Sequence, residues 1–282
     1  MNARKKIILA VFGAVLLALT VWTVWGNTAL VLTEYTVQDP NIPAAFDGFR
    51  IAQVSDLHNG EIGKENAALL SMLRETQPDM IAITGDLIDS RCTDLEVALA
   101  FAREAVKIAP CYYVTGNHES RLEEEYAQLK AGLLEMGVTV LEDTAVTLER
   151  SGASIDIAGI QDPAFETDYV RILEVDLMEE SLQKVVREDG FMIVLSHRPD
   201  YMDLYVKHRV DLVLTGHAHG GQVRLPLVGG LYAPNQGLFP KYDAGVFREG
   251  NTQMVVSRGI GNSAFPFRIN NRPEVVLITL KQ

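Results

Sequence analysis

The hydrophobic pattern divides the chain into an apolar leader, a connecting stretch and a long alternating region. Ile7 to Trp25 is an uncharged run of 19 residues preceded by Arg4, Lys5 and Lys6. At ~1.5 Å of rise per residue, a helix of that length approaches the ~30 Å of a bilayer core. Trp22 and Trp25 stand at its far end, where indole rings favour the interface. The run exceeds the ~7–15 residues usual for a signal peptide, and no clear small-x-small cleavage site follows it. A single membrane-spanning anchor is therefore expected, with its basic end in the cytoplasm and the rest of the chain outside. Export after cleavage is the alternative. Residues 27–47 read as a linker and first strand: Thr33 to Val37 suits an extended segment, and Pro40 and Pro43 exclude a helix.

From Phe49 onward short apolar runs alternate with helical patterns. Phe49–Val54, Met80–Thr84 and Cys111–Thr115 read as strands. Between and after them, Asn66–Glu75, Leu95–Lys107 and Glu119–Met136 read as helices. The second half predicts strands at Val138–Leu141, Ala145–Glu149, Ile155–Ile160, Phe191–Leu195, Asp211–Leu214, Met254–Ser257 and Val275–Leu280, with a helix at Leu177–Arg187. Gln161–Asp176 reads as an irregular insertion, and Gly220–Gly250 is Gly- and Pro-rich with no clear helix. Strand–helix alternation with turn residues at the strand ends marks a layered α/β architecture. The expected division is an anchor at 1–26, the linker and first strand at 27–47, and one domain at 48–282.

Composition narrows the chemistry. The net charge is −12; residues 1–26 hold three of the 25 basic residues and none of the 37 acidic ones, so the remainder carries −15. No surface for nucleic acid is evident in such a balance, since that binding depends on neutralising phosphates. An anionic substrate would need a local attraction, and a bound metal supplies one. Cys92 and Cys111, the two cysteines, match no metal spacing and leave open one disulfide or two buried thiols.

The residue types suited to metal ligation collect at strand ends: Asp56 with His58, Asp86, Asn117, His197, and His217 with His219. Gly85, Gly116 and Gly216 precede three of them, allowing the backbone to turn sharply and present the next side chain. The edge of an α/β sheet at the strands' C-terminal ends is where such folds place ligands. Of six histidines, four belong to this set, His118 adjoins it, and His208 stands apart with a solvent-facing expectation. The ordered blocks Asp56-x-His58, Gly85-Asp86-x-x-Asp89, Gly116-Asn117-His118-Glu119, Ser196-His197 and Gly216-His217-x-His219 are far more specific together than singly.

These five blocks resemble the calcineurin-like metallophosphoesterase family over roughly Phe49 to the C-terminus. Gly220-Gly221-Gln222 and the stretch from Ser257 to Pro273 look closest to its bacterial membrane-anchored or exported phosphodiesterases. The resemblance implies a four-layer α/β/β/α sandwich of two facing mixed sheets, here preceded by one N-terminal transmembrane helix. It implies two divalent metals per chain, the first held by Asp56, His58 and His219, the second by Asn117, His197 and His217, with Asp86 between them. It places His118 at the substrate, as phosphate contact and aid to the leaving group. Oxygen and imidazole ligands without thiolates suit Mn, Fe or Zn. A metal pair activates a bridging water for in-line attack on phosphorus, so the expected activity is a phosphodiesterase.

Several assignments follow less directly. Asp89 is expected to orient a ligand from behind it or to cap a turn, and Arg198 to approach a phosphate oxygen or to form a surface ion pair. The stretch Leu231–Pro240 is expected either at the site mouth, admitting lipid or touching the bilayer, or as a hairpin packed on its own sheet. The substrate class is a phosphate ester, with lipid- or cell-envelope-linked esters among the candidates. The alternative enzyme is a pyrophosphohydrolase of a nucleotide-sugar lipid such as UDP-2,3-diacylglucosamine. A non-catalytic scaffold of the same fold would be expected to have lost ligands, and none is lost.

Overall fold

The computed structural model describes residues 2–167, 171–187, 189–262 and 265–282. The first half runs α1 (Ala3–Thr28), β1 (Val31–Gln38), β2 (Arg50–Val54), α2 (Ala67–Thr76), β3 (Met80–Thr84), α3 (Leu95–Ala105), β4 (Cys111–Val114), α4 (Glu123–Glu135) and β5 (Thr139–Val140). The second continues β6 (Thr144–Arg150), β7 (Ala153–Gly159), α5 (Arg171–Val185), β8 (Met192–Leu195), α6 (Met202–Lys207) and β9 (Leu212–Thr215). Four two-residue strands follow, β10 (Arg224–Leu225), β11 (Gly229–Gly230), β12 (Tyr232–Ala233) and β13 (Gly237–Leu238). The chain closes with β14 (Gly245–Glu249), β15 (Thr252–Val256) and β16 (Glu274–Lys281).

Two six-stranded sheets face each other. The first has the order β1–β16–β2–β3–β4–β5, antiparallel only between β16 and β2. The second has the order β14–β15–β9–β8–β7–β6, parallel in its centre and antiparallel at both edges. Side-chain alternation builds the layers. On β3, Met80 and Ala82 point to the core between the sheets, while Ile81 and Ile83 point to the core under α2, α3 and α4. On β8, Ile193 and Leu195 join the inter-sheet core, while Met192 and Val194 meet α5 and α6. Strands covered on both faces read as continuous apolar runs, and the result is the expected four-layer sandwich.

Several expectations change. The helix read as Glu119–Met136 is split: Glu119–Arg121 form a 3₁₀ turn, and Leu122, at φ −135°, interrupts it before α4. The insertion read across 161–176 contains a 3₁₀ turn at Pro163–Phe165 and the start of α5, six residues before Leu177; its residues 168–170 lie outside the described residues. Residues 263–264 of the Ser257–Pro273 stretch also lie outside them. Neither α6 nor β14 was foreseen. Cys92 is exposed, Cys111 is buried and both are free. His208 does not face solvent freely: its Nε2 lies 3.0 Å from Glu179 Oε1, with the ring largely covered.

Helix α1 is long and apolar enough to cross a membrane, with a mean hydropathy of 2.6 and none of its most apolar window buried. Its end is fastened to the rest of the protein. Asn27 Oδ1 accepts from the backbone N–H of Arg268, and its amide donates to the Arg268 carbonyl at 3.0 Å. The Arg272 guanidinium lies 4.8 Å from the Trp25 ring centroid and donates to the carbonyls of Ala29 and Leu30. Strand β1 follows at once and pairs along its whole length with β16.

Candidate metal centre

The C-terminal ends of five strands converge where the two sheets face. From the first sheet, β2 leads to Asp56 and His58, β3 to Asp86, and β4 to Asn117 and His118. From the second, β8 leads to His197, and β9 to His217 and His219. All eight are buried. Their backbones are unusual: Asp56, His58, Asp86, His217 and His219 have φ of 51°, 46°, 53°, 64° and 48°. Left-handed conformations cost energy in non-glycine residues and concentrate where function holds them. The glycines permit close approach. A Cβ at Gly116 would stand 2.2 Å from Asp86 Oδ1, and one at Gly216 1.9 Å from Ser55 Oγ.

Two triads of donor atoms result, Asp56–His58–His219 and Asp86–His197–His217, and a third group, His58–Asp86–His118, overlaps them. His219 Nε2 lies 3.2 Å from both Asp56 Oδ1 and His58 Nε2. His197 Nε2 lies 3.2 Å from both Asp86 Oδ2 and His217 Nδ1. Asp86 Oδ2 is also 3.5 Å from His58 Nε2, so one carboxylate stands between the triads. Ligands ~2.1 Å from an ion lie ~3.0–3.4 Å from each other in octahedral or tetrahedral shells. The observed separations match that spacing, and the donor set fits divalent ions.

Neighbouring groups aim the donors. His197 Nδ1 is 2.8 Å from the Thr84 carbonyl, which requires the proton on Nδ1 and leaves Nε2 as a lone-pair donor. Asp56 accepts from Ser55 Oγ at 2.6 Å and from the His217 N–H at 3.1 Å. His118 Nδ1 accepts the Ser90 N–H at 3.1 Å, which puts its proton on Nε2. Burial drives His219 down to about 3 and His118 down to about 4, against the pull of nearby carboxylates; both are neutral at pH 7. Burial would also lower His197, but Asp86 and Asp56 overcome it and push it up to about 10. Burial would raise Asp86, but the imidazoles of His197 and His118 hold it well below the usual carboxylate range. His197 thus carries a second proton on Nε2 beside Asp86, and a metal ion bound there would displace that proton to free the lone pair.

Two sequence expectations meet the structure differently. Asp89 stands beside the cluster, 3.5 Å from His58 Nδ1 and 3.6 Å from His118 Nδ1, and Arg91 clamps it through both carboxylate oxygens. Arg198 does not form a surface ion pair. It is fully buried, and its Nε and Nη2 donate to Asp162 at 2.6 and 2.8 Å.

The sequence reading gave no role to Glu119, although it stands in one of the blocks, and missed Arg268. Glu119 is fully buried, and its carboxylate accepts the N–H groups of Asp86, Ile88 and Gly116, tying the β3 and β4 loops together. Burial and the neighbouring Asp86 raise it to about 7. Its place directly after Asn117-His118 was the available signal. Arg268 is buried behind His219, with Nη2 3.5 Å from Nδ1, and donates to the carbonyls of Arg258 and Gly261. Nothing in its local sequence marked it.

Comparison with known proteins agrees with this geometry. The profile of the family described as calcineurin-like phosphoesterase matches residues 49–221. A Bacillus subtilis protein named uncharacterized metallophosphoesterase YkuE is 31% identical, over 99% of this chain and 98% of its own length. Phosphodiesterase YaeI of Escherichia coli is 27% identical over 82% of each chain. A Danio rerio transmembrane protein with a metallophosphoesterase domain is 28% identical, over 100% of this chain and 66% of its own length.

Proposed function

The chain belongs to the calcineurin-like phosphoesterases and is a metal-dependent phosphoester hydrolase, and from that premise we propose that it is a dinuclear phosphodiesterase acting at a membrane. Asp56, His58 and His219 would hold one divalent ion, Asn117, His197 and His217 the other, and Asp86 both. The observation that carries this reading is the position of Asp86, whose carboxylate lies within reach of donors from both triads. Two bound ions supply Lewis-acid activation of water and neutralise charge on the phosphoryl group. Mn, Fe and Zn suit the oxygen and nitrogen donors.

The chain's own residues do the rest. Thr84 fixes the His197 tautomer, Ser55 and the His217 N–H orient Asp56, and Glu119 holds the β3 and β4 loops in register. Asp89 would orient His58. His118 would donate its Nε2–H to a phosphoryl or leaving-group oxygen, as a neutral hydrogen-bond donor. An imidazolium would need the Nδ1 lone pair that the Ser90 N–H already occupies. Phosphodiester selectivity follows the E. coli relative's name. Helix α1 would anchor the chain with Arg4, Lys5 and Lys6 in the cytoplasm and the hydrolase outside. The anchor at 1–26, the linker and first strand at 27–47 and the catalytic domain at 48–282 belong to the same proposal, with β1 counted with the catalytic sheet.

The test is a metal-depleted full-length protein in detergent, reloaded with Mn²⁺, Fe²⁺ or Zn²⁺. It is then assayed on bis(p-nitrophenyl) phosphate, p-nitrophenyl phosphate and a UDP-sugar pyrophosphate. Metal-dependent turnover fastest on the diester is expected. Preference for the pyrophosphate would favour the nucleotide-lipid reading, and no metal-dependent turnover of the diester would overturn the proposal.

A further inference from the structure

Outside α1, nine of the twelve large apolar side chains exposed among the described residues fall between Leu225 and Ile269. They are not scattered. The turn of the β10–β11 hairpin presents Leu227 and Val228, and the β12–β13 hairpin ends in Leu238 and Phe239. Backbone bonds join these hairpins to each other and to Ile269, through Leu231 N–H to the Val223 carbonyl and Arg224 N–H to the Ile269 carbonyl. The Gln222 amide grips the carbonyls of Phe265 and Phe267.

Two of these residues carry a double cost. Leu227 is fully exposed at φ 67°, and Phe239 is 59% exposed at φ 55°. A hairpin needing left-handed backbone in water ordinarily places Gly, Asn or Asp there. A leucine and a phenylalanine in that conformation gain nothing from solvent. Contiguous exposed apolar surface of this kind marks a place where something apolar is met.

We propose that these hairpins and the 265–269 segment form an apolar rim that seats in the bilayer crossed by α1. The site then takes phosphodiesters whose apolar tail remains in the lipid. The occupant follows from continuity. Arg268 lies between Phe267 and Ile269 and is the residue that Asn27, at the end of α1, binds through both N–H and carbonyl. Arg272 binds the Trp25 ring and the next turn of chain. The helix therefore leaves the membrane at the rim, and lipid lies against both. The rim also continues into the site: Asn271 donates to the His219 carbonyl, and Gln222 follows His219 by three residues. The substrate class rests on the phosphodiesterase reading above, whereas the seating of the rim does not.

The test uses the full-length protein in vesicles of phosphatidylcholine and phosphatidylglycerol. With Cys92 replaced by Ser and Cys111 buried, single exposed cysteines at Leu227, Phe239 and, as a distant exposed control, Leu134 carry a bimane label. Lipids brominated on the acyl chain should quench the labels at 227 and 239 and leave 134 unchanged. Equal quenching at all three would overturn the rim. In the same vesicles, hexadecyl p-nitrophenyl phosphate should be hydrolysed at least ~10-fold faster than soluble ethyl p-nitrophenyl phosphate, because the tail's binding energy assists turnover. The Leu227→Asp, Phe239→Asp double variant should lose that preference and keep its rate on the ethyl ester. Equal rates in the unaltered protein would overturn the substrate class. Failure to hydrolyse either ester with metal would instead sink the phosphodiesterase reading, leaving the quenching to decide the rim.

Discussion

The two sheets contribute to the centre unequally. The first brings both carboxylates, Asp56 and Asp86, together with His58, Asn117 and His118; the second brings imidazoles alone, His197, His217 and His219. Each triad nevertheless draws on both sheets, so neither half of the molecule holds a complete site. The difference shows where charge and where geometry are supplied. Negative charge sits on the β2 and β3 loops, the latter tied to the β4 loop by Glu119, while the second sheet adds imidazole donors, aimed by contacts such as His197 to Thr84 across the interface.

Removing a carboxylate should therefore differ from removing an imidazole. Asp86→Ala should abolish binding at both positions and lower turnover beyond the ~100-fold typical of changes behind the ligands. His217→Ala should empty only one. Elemental analysis of both variants decides the matter, and two metals per chain with normal turnover in Asp86→Ala would remove it from the bridging position. His118→Asn should keep both metals and lose ~10²–10⁴-fold in turnover. The loss should be greater for an alkoxide than for a nitrophenolate leaving group if the Nε2–H serves the leaving oxygen. An equal loss would move it to a phosphoryl oxygen.

Arg198 gives the comparison a structural control, since it follows a ligand of the second sheet and commits its Nε and Nη2 to Asp162. Arg198→Ala leaves Asp162 buried and unpaired, and should cost ~3–5 kcal/mol of stability. Denaturant unfolding measures this. Wild-type stability with a raised KM would restore a substrate role.

The smallest effect concerns Asp89. Burial would raise its carboxyl, but Arg91, with His58 and His118, holds it at about 2, below its ordinary 3.8. Its contribution is whole above the unfolded value and is lost as pH falls through about 2. Metal-free Asp89→Asn should be less stable than the parent at pH 6, with the gap closing as pH falls from about 4 to about 2. A constant gap down to pH 2 would remove Asp89 from this linkage.

What the sequence made legible follows from what repeats locally. An apolar run, a turn residue and a ligand-type residue recur at β2, β3, β4, β8 and β9, so strand ends and candidate ligands could be read together. Glu119 stood in one of these blocks, but its role was hidden, because an acidic residue at the start of a helical pattern usually faces water. Here three backbone N–H groups hold it inside. Arg198 read as exposed for the same reason, since its partner Asp162 lies 36 residues away. The six-residue α6 is too short to show a helical period. The apolar hairpins were visible as composition, but their attachment to α1 depends on contacts such as Asn27 with Arg268, 241 residues apart.

The place of β16 bears on how the protein is made. Residues 274–281 lie between β1 and β2, which belong to the beginning of the chain. Until that strand has left the ribosome, β1 has no neighbour in its sheet and the backbone edge of β2 stays open. Long-range pairing of this kind folds slowly and leaves unpaired edges exposed meanwhile. An α1 engaged early by the membrane would hold one end of the chain fixed while the other returns to it. Synthesis, insertion and closure would then be ordered events, with hydrolytic competence arriving last.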